Sequence, residues 1–146
     1  MNHRHMLLAG LWALSALTAH ATPPADPRCP RLPPSSDLAW TYSKGPDFDV
    51  CYAQEPGRRA SGIVGVYMGH APNFAPSPEA FVQQGRMEGS PVRWQRMAPG
   101  GGAFKLGLET LHEFGHDVSH VWVMANDARR LDELRAVAEG MSFKGL

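Results

Sequence analysis

The sequence predicts an α+β fold: an antiparallel β-sheet with a C-terminal helix packed on one face. Two observations carry this prediction. Between Asp37 and Met124 the chain is a series of short apolar runs, several of them alternating with polar residues, separated by Gly- and Pro-rich turns. Near the C-terminus the pattern changes: Leu131, Leu134, Val137, Ala138 and Met141 recur at helical spacing. No internal repeat or coiled-coil period competes with this pattern.

The elements follow in chain order. Residues 22–36 hold six prolines and read as an extended arm, ordered where Cys29 pins it, and residues 37–146 read as a single α+β domain. Leu38 to Tyr42 is a first strand, and Phe48, Val50 and Tyr52 alternate in a second that opens after Gly45-Pro46. Gly62 to Met68 (GIVGVYM) is apolar on both faces and therefore a central strand. Residues 69–76 form a loop by their prolines. Phe81 to Met87 and Val92 to Met97 make a hairpin around Glu88 to Pro91, with Val92 and Trp94 facing inward and Arg93 and Gln95 outward. Pro99 to Gly102 is a turn, and Val121 to Met124 a buried strand. Asn126 or Asp127 caps the helix and Gly140 ends it. Trp40, Trp94 and Trp122 are assigned to the core.

The N-terminus points to export. Arg4 precedes an apolar stretch from Met6 to about Leu17, and Ala19-His20-Ala21 supplies the small-x-small pattern of a signal-peptidase site. Residues 1–21 therefore read as a signal peptide, and the expected location is periplasmic or secreted, with no membrane span after cleavage. Without Arg4, thirteen basic residues face fourteen acidic ones, a formal charge of −1. That balance argues against nucleic acid as a partner, because binding it requires a basic surface that displaces counterions. In an oxidising compartment the pair Cys29 and Cys51 is most simply a disulfide.

One stretch reads as chemistry. His112-Glu113-Phe114-Gly115-His116 matches HExxH, the pentapeptide through which the chain resembles zincins. On a helix it would set two imidazoles on one face for Zn²⁺, with Glu113 as general base. Phe104, Leu108, Leu111, Gly115, Val118 and Trp122 have the spacing of such a helix's buried side. The candidate third ligand is His120 or Glu139. His120, however, would lie about 12 Å from His112 along a helix axis, too far for one ion that needs nitrogens at about 2.0–2.1 Å. Gly107 and Gly115 weaken a helix, and Glu109 and Asp117 flank the motif where zincins carry neutral residues. The same residues also fit a hairpin: Leu106, Leu108, Thr110 and His112 alternate, as do His120, Trp122 and Met124. Gly115 then supplies the turn, and the histidines become solvent-exposed turn residues. The hairpin is the favoured expectation. With it go no favoured catalytic residue, metal site or cofactor, and the zinc set stands as the alternative. Asp47 and Asp49 form a weaker divalent-metal pattern, and His70 a further loop histidine.

Gly65 to Phe74, Pro91 to Trp94, Glu109 to Leu111, His120 to Val123 and the ending Leu131 to Phe143 together resemble small exported bacterial α+β proteins of no assigned function. The resemblance implies a variable, non-catalytic segment between the ETL and HVW triplets. The function expected from the whole is a non-catalytic exported domain that binds a protein or another envelope or extracellular partner. A zinc-dependent metallohydrolase, most simply a peptidase, is the alternative.

Overall fold

A computed structural model of the chain describes residues 26–57, 60–70, 72, 74–98 and 103–146. The segment read as a signal peptide, the start of the arm and the expected turn at residues 99–102 lie outside these residues. Seven strands form one antiparallel sheet: β1 (Ala39–Lys44), β2 (Phe48–Gln54), β3 (Gly62–Gly69), β4 (Phe81–Met87), β5 (Ser90–Arg96), β6 (Leu106–Phe114) and β7 (Asp117–Ala125). A helix, α1 (Ala128–Glu139), follows. The spatial order is β1-β2-β3-β7-β6-β5-β4. After the β1-β2-β3 meander the chain crosses to the far edge and returns strand by strand, until β7 docks beside β3. The architecture is mostly sheet, so α+β describes it only loosely.

Local chemistry accounts for the connections. Glu88 and Gly89 both take positive φ, 47° and 84°. This closes the β4–β5 hairpin in two residues, in the twist that matches its strands. Gly115 (φ 59°) opens the β6–β7 turn, and Phe114 pairs with Asp117 across it. The alternation of residues 106–112 and 118–125 is therefore that of paired strands. Asp127 caps α1, its side chain accepting a hydrogen bond from the Arg130 N–H at 2.9 Å. Gly140 stands at the other end. Within the helix, Leu134 and Ala138 are wholly buried against the sheet.

Because side chains alternate along each strand, the sheet has two unlike faces. On the helix side Cys51, Ala53, Val64, Val66, Trp94, Val121, Val123 and Ala125 are all inaccessible to solvent and form the main core. The opposite face carries Tyr52, Tyr67, His120, Trp122 and Met124, none of them fully buried.

Two local expectations change. The arm is held by more than its cysteine. Arg31 and Ser142 exchange two backbone hydrogen bonds (2.8 and 3.0 Å), and Trp40 Nε1 donates to the Pro30 carbonyl at 2.7 Å. Cys29 and Cys51 form the disulfide, with Cα atoms 5.9 Å apart. Gln95 does not face solvent: its Oε1 accepts from the Ser77 N–H at 2.7 Å, and the loop leading to β4 buries it. Strand alternation foretells which sheet face a residue occupies, not that a distant loop will cover that face. Among the described residues no helix is long and apolar enough to cross a membrane.

Candidate functional site

The hairpin takes the HExxH residues apart. His112 lies in β6 opposite Ser119 and points to the helix side, with 1 % of its side chain accessible. Glu113, the next residue in the strand, projects from the other face and is exposed. His116 sits in the turn, also exposed. The candidate third ligands are no closer to one another. His120 is on the face opposite His112, with its Nε2 2.8 Å from Glu109 Oε2. Glu139 is on α1, where its Oε1 accepts hydrogen bonds from Trp94 Nε1 (2.8 Å) and Arg135 Nη1 (2.7 Å). Asp49 accepts a hydrogen bond from the Tyr42 hydroxyl. Among the described residues no group of three or more His, Cys, Asp or Glu side chains is placed to hold a metal ion. The expectation that the histidines are exposed turn residues holds for His116 and fails for His112 and His120, because Phe143 packs on the first ring and Phe74 on the second.

The setting of His112 has a measurable consequence. Its ring packs against Phe143 (4.7 Å between centroids) and Phe114 (6.4 Å). Neither ring nitrogen has a hydrogen-bond partner among the described residues. Glu88 Oε2 is 3.5 Å from Nε2, beyond a good hydrogen bond, while its Oε1 accepts from Ser142 Oγ and the Phe143 N–H, both at 2.9 Å. Burial pushes the imidazole below its usual value of 6.5, outweighing the upward pull of the Glu88 and Glu113 carboxylates. Well above that value the ring is neutral in both the folded and unfolded states. As the pH falls through it, the unfolded chain takes up a proton that the folded chain resists, so the ring's contribution to stability is lost on the acid side. The unfolding free energy should therefore fall as the pH drops below about 7.5. His112→Leu should flatten that slope in urea titrations. A variant with the wild-type slope would show that His112 is not the group responsible. Burial lowers His120 in the same way, against Glu109, so part of the slope should survive the substitution.

The helix-free face presents the other constellation. Register places Thr41, Tyr52, Gly65, Trp122 and Glu109 side by side across five strands. The indole of Trp122 lies on Gly65. A Cβ added to that glycine would collide with Cε2, Cζ2 and Nε1, and Cε2, the atom between the other two, is nearest. The ring therefore meets the glycine face-on rather than by its edge. An aromatic laid across a strand glycine shields the backbone beneath it, and its second π-face points away from the sheet. Tyr52, 37 % exposed, stands edge-on to it at 5.8 Å and 72°. His120 lies 5.2 Å on the other side, with Phe74 from the β3–β4 loop stacked on it at 4.9 Å and 18°. Phe48 and Tyr67 stack at 5.2 Å nearby.

Trp122 thus belongs to this face and not to the helix-side core. Its sequence signal was available: a glycine inside the β-rich GIVGVYM run marks a close approach by something. What approaches it becomes apparent only when β3 and β7 are paired.

At one end of the sheet Arg28, Lys44, Asp47, Asp49, His70 and Asp117 line an open cleft of about 470 Å³. Arg28 stacks on the Tyr42 ring at 3.6 Å, and Tyr42 bonds to Asp49, so part of this mixed charge is already internally paired. No family model, curated protein or solved structure matches the chain.

Proposed function

We propose that this protein is an exported, non-catalytic binding domain whose working surface is the helix-free face of its sheet, engaging a component of the cell envelope or its surroundings. The face-on seat of Trp122 on Gly65 carries this proposal. It holds a large amphipathic ring flat and partly exposed, flanked by a partly exposed tyrosine, and Trp and Tyr so placed are the residues that dominate binding energies. Export is supported by the charged, apolar and small-x-small segments of residues 1–21 and by the disulfide of the mature chain. The dispersal of His112, Glu113 and His116 over two faces and a turn favours binding over hydrolysis.

The test is co-sedimentation of the mature protein with washed envelope material, separately as murein sacculi and as membrane fragments. Wild-type protein should pellet with one of them. Trp122→Ala should weaken that by at least roughly tenfold, the equivalent of about 1.4 kcal/mol, whereas Glu113→Gln and EDTA should leave it unchanged. Equal pelleting of wild type and Trp122→Ala would refute the assignment of the face. Stoichiometric zinc in the purified protein, together with a hydrolytic activity lost in Glu113→Gln, would replace binding by metallohydrolase chemistry.

A further inference from the structure

We propose that the ligand of the helix-free face is an uncharged glycan, laid across the strands over Tyr52 and Trp122 with its hydroxyls directed to Glu109. This deepens the binding function proposed above and rests on it. Three features of the face select the chemistry.

The first is charge. Three neighbouring register rows cross β1, β2, β3, β7 and β6 on this side: Ala39 to Gly107, Thr41 to Glu109, and Ser43 to Leu111. None contains a lysine or arginine, and the acid among them is Glu109. Arg93, on the same face of β5, lies over the Phe81 ring at 4.4 Å. Within these rows a polyanion finds no cation to neutralise its charge and meets a carboxylate next to the ring. An uncharged chain has no such penalty.

The second is shape. Trp122 is held flat by Gly65, and the row around it runs from strand to strand across the sheet, bordered at His120 by Phe74 of the β3–β4 loop. A docked amphipathic helix requires a hydrophobic groove. A pyranose ring instead offers a flat apolar C–H face that stacks on an aromatic ring, with its hydroxyls projecting from the ring edge.

The third is the polar group beside the platform. Glu109 stands next to Trp122 in the row, and its carboxylate is oriented by His120 at 2.8 Å. A carboxylate fixed by one partner keeps further lone pairs for hydroxyl donors, and such charge-assisted bonds are stronger than neutral ones. The aromatic ring thus supplies the apolar contact and the glutamate beside it the hydroxyl contact, as a sugar needs on its two kinds of surface.

The experiment titrates the mature protein with chitotetraose and cellotetraose, following tryptophan fluorescence and the Trp122 indole N–H by NMR. Choline and phosphatidylcholine vesicles serve as the cationic and lipid comparators. Saturable binding of a tetrasaccharide is expected, centred on the Trp122 signal, and weakened by roughly tenfold or more in Trp122→Ala. Glu109→Gln and the partly exposed Tyr52→Ala give the same reading should Trp122→Ala fold poorly, and each should weaken binding with its melting curve retained. Absence of saturable binding to both sugars, or tighter binding to choline or the vesicles, would overturn the glycan. Sugar binding indifferent to all three variants would overturn its site. If the sugars fail while envelope co-sedimentation remains Trp122-dependent, the ligand class falls and the binding face stands. If both fail, the binding function falls too.

Discussion

Trp94→Ala is expected to lower the unfolding free energy by about 3–5 kcal/mol, the range for deleting a large aromatic from a core. Trp94 is wholly buried, and its indole joins two layers: Nε1 donates to Glu139 Oε1 on α1 at 2.8 Å. Space for that bond comes from Gly85 on the neighbouring strand, where an added Cβ would clash with the Glu139 carboxylate and stand 2.8 Å from Trp94 Nε1. Trp94→Phe keeps most of the apolar contact and removes the donor. Its cost should be the smaller one, about 1–3 kcal/mol, since Glu139 retains Arg135. Urea titrations at constant m value measure both. A loss below about 1 kcal/mol for Trp94→Ala would show that α1 does not depend on this tie.

The double substitution Cys29→Ser/Cys51→Ser should cost about 3 kcal/mol, through the conformational freedom restored to the unfolded chain. The cross-link spans 22 residues and joins the arm to β2, at two positions almost inaccessible to solvent. Its loss should also be felt locally. The Arg31 and Ser142 amides, which bond each other's carbonyls, should exchange hydrogen much faster in the double variant, because the arm then leaves without unfolding the sheet. Unchanged exchange would mean that the backbone pairing and the Trp40–Pro30 bond hold the arm unaided. In the wild type, thiol titration after denaturation without reductant should detect no free thiol.

Much of this architecture could be read directly from local pattern. The glycine-bounded β-branched runs predict the strands, the Leu131-to-Met141 spacing and Asp127 predict α1, and Gly115 between two alternating runs predicts the β6–β7 turn. An even cysteine pair behind a segment that reads as an export signal predicts the bridge. Each is a property of neighbouring residues, and the physics involved, φ freedom, capping and side-chain period, acts over a few positions.

Other features arise from contacts between residues far apart in the chain. The run apolar on both faces says that β3 is central and not that β7, rather than β4, lies beside it. Both faces of β2, β3 and β7 carry apolar or aromatic residues, so periodicity alone does not say which side α1 covers. His112 illustrates the point. Its place in β6 follows from the alternation, yet its burial depends on Phe143, thirty-one positions away. Trp122 illustrates the reverse: an aromatic assigned to the core is left on the outer face, because α1 and the C-terminal residues pack on the other. The sequence by itself determined the period, turns, cap and cross-link. The tertiary structure decided the strand neighbours, the covered face and the seat of Trp122 on Gly65, because burial and close approach are properties of pairs brought together only when the sheet closes.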